Sequence, residues 1–267
     1  KEKRVITSYL AGKNNGAVIL SEDEGTSVLL NGEDHVRIQV LCNGMDIQSC
    51  FKKANEIDDY IDAHFDYAFD EKYGYKTTFP TNTGTGMKAG YTLHLPSLSD
   101  ARRLNDISAE LGRFGLKFRT VYGDGQNGYG NLYQISTQKT LGQDEREVIK
   151  DLDDIVLQIV NQEKEQREHF YKKDKIQMDD EIYKSYGVLK YARKLSLKDS
   201  MVLISELMTG VSLGVLQFAH NGRYNINELI MDIQPAVLRQ NSGKAMSVAE
   251  TDVLRAEYIR KYLPEII

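Results

Sequence analysis

The chain has only two cysteines, four prolines and five histidines in 267 residues. Cys42 and Cys50 form neither a disulfide framework nor a metal-ligand spacing, and such a pair suits a reducing cytosol. His35 and His94 stand too far from them in sequence to suggest a zinc site, so no protein-held metal is expected. Long apolar runs are also missing: residues 17–20 and 201–204 are far too short to span a bilayer. Lys1-Glu2-Lys3-Arg4 is not followed by an apolar segment, which argues against a secretory leader and for a cytoplasmic protein. Positive charge is not in excess. A net charge of −5 and a pI near 5.6 argue against nucleic acid as the main partner, while leaving room for a local basic pocket. Internal repeats and low-complexity tracts are absent from the sequence.

What is present describes an ordinary globular chain, 41% hydrophobic and 27% charged, long enough for one large core or a medium core with a helical appendage. Val5 to Leu10 read as the tail of a preceding element. Residues 17–20, 26–31 and 36–42 are short β-branched or apolar runs separated by turn residues, and predict successive antiparallel strands. From Asp46, a predicted N-cap, Ile47, Cys50, Phe51, Ala54, Ile57, Ile61 and Phe65 fall at helical spacing. A strand over 91–95, a helix over 99–114 ended by Gly115, and strands over 116–122 and 132–136 follow. After Asp144 the texture turns charged and helical: Val148, Leu152, Ile155, Ile159 and Val160 mark a long amphipathic helix. Further helices are predicted over 178–189, 197–208, 226–232 and 248–262, with turns at Asn221-Gly222 and Asn241-Ser242-Gly243. The outcome is a sheet-rich part to about Glu165 and a helical part beyond it.

Three polar islands interrupt the apolar strands. The first, Asn31-Gly32-Glu33-Asp34-His35-Val36-Arg37, holds carboxylates beside a cation, a base with an anion clamp or a solvated hairpin with a surface ion pair. Period-two alternation puts Glu33, His35 and Arg37 on one side if a strand begins there. The second runs from Gly74 to Pro96, with Gly84, Gly86 and Gly90 around Lys88. Such a loop either cradles phosphate or serves as a long glycine-rich connection. The third is Arg119 to Asp124 with its glycine-rich extension, in which Arg119 needs an anion or a carboxylate if buried. Together they supply the cations, carboxylates and flexible loops that phosphoryl transfer requires, and paired carboxylates suit a cationic acceptor such as a guanidinium.

In this order the islands resemble the ATP:guanidino phosphotransferases, the family of creatine kinase and arginine kinase. Residues 31–37 look like that family's Asn-Glu-Glu-Asp-His-x-Arg. Thr78-Phe79-Pro80-Thr81-Asn82-Thr83-Gly84-Thr85-Gly86-Met87-Lys88-Ala89 looks like its Thr-Cys-Pro-Thr-Asn-x-Gly-Thr-Gly-x-Arg-Ala. Arg119-Thr120-Val121-Tyr122-Gly123-Asp124 matches Arg-Gly-Thr-x-Gly-Glu, and Leu141-Gly142 recurs before the long helix. Tyr183 to Leu189, Asn227-Glu228-Leu229 and Thr251-Asp252-Val253-Leu254-Arg255-Ala256 resemble the bacterial protein arginine kinase branch. The resemblance covers nearly the whole chain. The family's N-terminal domain, with its Ser-Thr-Arg-x-Arg nucleotide clamp, has no match in these residues.

The resemblance implies an α+β fold, a large antiparallel sheet flanked by helices as in glutamine synthetase, over 1–165, and a helical C-terminal domain over 166–267. It implies ATP-dependent phosphorylation of arginine side chains in proteins. Glu33 would be the acceptor-facing base and Asp124 its partner. Arg37, Lys88 and Arg119 would hold the ATP phosphates, with Ala89, Gly90, Tyr91, Thr92, Thr120, Val121, Tyr122 and Gly123 completing the nucleotide-binding stretches. Phe79 and Asn82 would lie on the active-site loop, Mg2+ would ride on the phosphates, and Asp252 and Arg255 match part of a phosphoarginine-binding Arg-Asp-x-x-Arg-Ala. The implied partners are proteins with exposed arginine, a zinc-binding activator protein, a Clp-type unfoldase and a second copy in a homodimer. Neither nucleic acid nor membrane is among them. Five positions depart from the pattern: Phe79 for cysteine, Gly32 for the first acid, Lys88 for arginine, Asp124 for glutamate and Thr251 for arginine. These changes suit an alternative, a kinase-like module that binds nucleotide, phosphoarginine proteins or a Clp-type partner without transfer.

Overall fold

The computed structural model describes residues 8–124, 127–219 and 226–267. Val5 to Thr7, Gly125-Gln126 and the Asn221-Gly222 turn lie outside the described residues. In chain order the elements are α1 (Ser8–Ala11), β1 (Ala17–Leu20), β2 (Thr26–Leu30), β3 (Val36–Val40), α2 (Ile47–Asp62), β4 (Phe69–Asp70), β5 (Gly74–Tyr75) and β6 (Gly90–His94). Next come α3 (Pro96–Asp100), α4 (Leu104–Arg113), β7 (Leu116–Thr120), β8 (Gly123–Asp124), β9 (Asn127–Gly128) and β10 (Leu132–Thr137). The rest is helical: α5 (Glu145–Lys173), α6 (Lys175–Tyr191), α7 (Leu197–Leu213), α8 (Ile226–Asp232), α9 (Pro235–Ser242) and α10 (Val248–Tyr262). This is the expected α+β order with a helical C-terminal region. The described strands pair antiparallel, in two three-stranded sheets, β1-β2-β3 and β6-β10-β7, and two short ribbons, β4-β5 and β8-β9.

Local chemistry explains most boundaries. The Asp46 carboxylate accepts from the Ser49 N–H to start α2, and Asp144 accepts from Arg146 and Glu147 to start α5. Ser247 and Glu250 close a capping box on α10. The single helix expected over 99–114 is two helices instead. Pro96 opens α3 at a position where its missing N–H costs nothing, and Arg102 breaks the run with φ at 58°. Phe114, the residue after α4, is exposed. α9 was hidden in the sequence because Asn241-Ser242-Gly243 reads as a turn, whereas Gly243 is the left-handed cap of that helix (φ 66°). Cys42 and Cys50, read from the sequence as a pair suited to a reducing cytosol, are instead bonded to each other with Cα atoms 6.2 Å apart.

Two apolar clusters form. One lies between β6-β10-β7 and helices α2, α4 and α5, centred on Leu93, Ile135, Leu152 and Val156. The other lies among the C-terminal helices, around Ile182, Leu189, Ile204, Leu207 and Ile259, and takes in Leu132 of β10. Between them runs a polar seam. Glu163, buried on α5, accepts the backbone N–H groups of Ser97 and Leu98 at the start of α3 and pairs with Arg167 at 3.0 Å. His94 Nε2 meets the Ser205 hydroxyl of α7 at 2.8 Å, and that oxygen also accepts from Asn131.

Burial, and then the nearby Arg167 cation, push the His94 imidazole from 6.5 down to about 3. The unfolded chain therefore takes up this proton first, and the stability His94 contributes at neutral pH is lost as pH falls from 6.5 toward about 3. Asp100 and Glu206, whose carboxyls burial and neighbouring acids push upward, act with the opposite sign. We expect thermal melts across this range to show a steeper acid loss in the wild type than in His94→Gln. Parallel curves would remove His94 from the acid response.

Candidate active site

The second and third islands border the β6-β10-β7 sheet, Lys88 just before β6 and Arg119 on β7. On β6, Tyr91 and Leu93 point into the core while Gly90, Thr92 and His94 take the other face. Register then sets three rows across that face: Gly90–Ser136–Lys117, Thr92–Gln134–Arg119, and His94–Leu132, which Val121 extends through its N–H to the Leu132 carbonyl. The helical region covers the third row through Leu132, Val121 and the His94–Ser205 bond. The first two rows stay open, with Lys117 and Arg119 exposed on them. Arg119 donates through Nε and Nη2 to the Gln134 side-chain oxygen, at 2.7 and 2.5 Å. Tyr91, by contrast, lies on the core side and donates to Asp153 at 2.6 Å; burial, and then this bond, push its hydroxyl up to about 12.

The first island does not begin a strand. Residues 31–35 form the turn between β2 and β3, closed by the Asn31 N–H on the His35 carbonyl, with Asn31 at φ 58°. Alternation therefore does not apply there, yet Glu33 and Arg37 still meet across the turn at 3.8 Å. Asp34 reaches furthest. Its two oxygens accept the Thr78 N–H at 2.7 Å and the Asn82 side-chain amide at 3.0 Å. The Asn82 oxygen in turn accepts from Lys88 Nζ at 2.6 Å. Asp34 thus bonds to residues more than forty positions away, and Asn82 and Lys88 carry the link into the second island.

The second island is held rigid from its other side. Tyr75 and Gly84 exchange backbone hydrogen bonds, and the Thr140 hydroxyl donates to the carbonyls of Thr83 and Thr81. A Cβ on Gly84, whose φ is 114°, would meet the Thr140 carbonyl oxygen at 2.0 Å. That glycine serves close backbone approach, while Lys88 and the exposed Thr92 face outward. Below the loop, Tyr67 and Tyr75 both donate to Asp58 at 2.9 Å, tying it to α2. Phe79 immediately precedes a short helical turn, Pro80–Asn82, with 48% of its surface exposed. Asp34, Asp58, Gln134 and Thr140 were not singled out from the sequence. Only Asp34 carried a signal, as the second acid of its pair.

The third island divides. Thr120 ends β7 and Gly123 sits on the β8-β9 ribbon, but Val121 and Tyr122 pack toward the helical region, Tyr122 through its hydroxyl on the Met231 sulfur at 3.7 Å. The backbone of Asp124 pairs with Asn127, and its side chain lies outside the described residues. Asp252 and Arg255 are far along the chain, on α10. Arg255 is 1% exposed and donates to the carbonyls of Ile233 and Leu195 and to Asp252.

The catalytic-domain model described as "ATP:guanido phosphotransferase, C-terminal catalytic domain" matches residues 1–166. The chain belongs to the ATP:guanido phosphotransferase family. A second model, "Protein-arginine kinase McsB C-terminal domain", matches residues 175–266. Among curated relatives, the protein-arginine kinase of Bacillus subtilis (strain 168) is 40% identical over 262 residues, covering 98% of this chain and 72% of the relative. That of a Geobacillus species (strain WCH70) is 41% identical over 263 residues, again 98% and 72%. Among solved structures, the duplicated taurocyamine kinase of Schistosoma mansoni with bound transition-state-analogue components superposes with a TM-score of 0.50 at 21% identity, over 58% of this chain and 21% of that one. That likeness concerns the fold. As in its family, this phosphotransferase takes ATP as the phosphoryl donor. Among its described residues, no helix is long and apolar enough to cross a membrane.

Proposed function

We propose that this chain phosphorylates arginine side chains of proteins, with Glu33 as base and Arg37, Lys88 and Arg119 on the ATP phosphates. The observation that carries this is the bond chain from Asp34 through Asn82 to Lys88, which ties the acid-bearing turn to the Lys88 cation. A guanidinium loses no proton near neutral pH, so an acceptor nitrogen must be oriented and relieved of one as it attacks. Its N–H proton passes to Glu33, a new N–P bond forms, the bond from the γ-phosphorus to the β-bridging oxygen breaks, and ADP leaves. The cations answer the charge that develops on the transferring group. Gly90 and Thr92 offer the open sheet face to the nucleotide, with Ala89, Tyr91, Thr120, Val121, Tyr122 and Gly123 supporting from beneath or behind. Asp124 partners Glu33.

Magnesium comes with the nucleotide, because this ion prefers substrate phosphates and water to an all-protein cage. The described residues gather no group of three or more metal-ligating side chains that would compete for it. The work divides between a catalytic unit, 1–165, and a helical unit, 166–267, with α5 running through both. The site is cytoplasmic, and its partners are proteins with exposed arginine, a zinc-binding activator, a Clp-type unfoldase and a second copy of the chain. The phosphoarginine role of Asp252 and Arg255 requires that turn of α10 to open, since Arg255 is buried here. A second reading, binding without transfer, is favoured by the exposed Phe79 ring on the active-site loop, where the family pattern has a thiol. Incubation with Mg·ATP and an arginine-rich protein separates the two. Acid-labile phosphoarginine is expected, and its absence while ATP still binds would leave the second reading standing.

A further inference from the structure

We infer that Gln134 is a positioning residue, holding the Arg119 guanidinium over the open sheet face while leaving its positive charge undiminished. This rests on Arg119 as a phosphate ligand, the function proposed above. Gln134 occupies the central strand, in register with Thr92 on one side and Arg119 on the other. Arginine has only donors, so the Gln134 oxygen must face the guanidinium, and its NH2 is left to the other side. That oxygen takes the Nε–H and one Nη2 hydrogen. Three guanidinium hydrogens remain for an anion, on a plane fixed by two bonds.

The chemical identity of the partner matters. An exposed Arg on an edge strand is ordinarily mobile, and orienting it usually falls to a carboxylate. A carboxylate at 134 would orient the fork equally well but cancel its charge before any phosphate arrived. An amide orients without neutralising. Its free NH2 adds a neutral donor to the same face, in the row shared with the exposed Thr92.

The test measures ATP affinity of the whole chain by calorimetry at several salt concentrations, for Gln134→Met, Gln134→Glu and Arg119→Ala, singly and combined. Gln134→Met should weaken ATP binding about fivefold with an unchanged salt dependence, since charge remains but orientation is lost. Gln134→Glu should weaken it about tenfold or more with a shallower salt dependence, since the charge is neutralised in place. Neither change should matter once Arg119 is alanine. Wild-type affinity in Gln134→Glu, or an equal loss in the Arg119→Ala background, would overturn the inference while leaving the proposed function intact. If Arg119→Ala binds ATP as the wild type does, or the wild type does not bind it, the assignment of Arg119 falls and this inference with it.

Discussion

Phosphoarginine formation by Glu33→Gln should fall by a factor of about 10² to 10⁴, the range that a positioned general base contributes. The amide keeps the size and the hydrogen-bonding reach of the carboxylate but cannot take the proton that the attacking guanidinium must lose. ATP binding should change little. The Glu33–Arg37 pair that the substitution breaks is long, at 3.8 Å, and both side chains are well exposed, so it contributes little to stability. The turn keeps its shape because it is held by the backbone bond from Asn31 to His35 and by Asp34, not by Glu33. The measurement is the initial rate of acid-labile product at saturating Mg·ATP, beside a melt and an ATP titration. An undiminished rate would strip Glu33 of its role. Loss of ATP affinity in proportion to rate would make it a binding residue instead.

Arg255→Ala should lower folding stability by about 3–5 kcal/mol, the usual cost of removing one member of a buried charged pair. Arg255 closes the helical region from the inside. Its Nε donates to the Ile233 carbonyl just before α9, and its Nη1 donates to Leu195 ahead of α7 and to Asp252 one turn back on α10. The Leu195 N–H returns a bond to the Asp252 carbonyl. Truncation leaves a carboxylate that is only 13% exposed, and two carbonyls, without this donor. For a chain of this size the melting midpoint should drop by roughly 10 °C. A midpoint unchanged in Arg255→Ala, together with loss of phosphoarginine-peptide binding, would make Arg255 a ligand rather than a brace.

Much of this was legible from residue patterns alone. The first strands start where the β-branched runs start, and Asp46 and Asp144 cap the helices that follow them, because strand period and capping are local effects. The three islands and their order carried the family. Errors came where a local pattern had a distant cause. Residues 99–114 have continuous helical spacing, but buried Leu98 and the Glu163 carboxylate on the Ser97 and Leu98 N–H groups fix a separate first helix. Glu33, His35 and Arg37 alternate like a strand, but a turn places two of them together.

The sequence by itself determined the fold class and the family, and it supplied the cations and acid of the proposed site, because these depend on residue type, order and short-range period. Only the tertiary structure decided what orients them. Asp34 on the Thr78–Asn82 turn, Thr140 against Gly84 and Gln134 on Arg119 are contacts between residues distant in sequence or on neighbouring strands. Hydrogen bonds of that kind depend on which strand lies beside which, and no periodicity along one segment records it. The same holds for Arg255, whose motif suggested an open ligand and whose packing closes it within the helices.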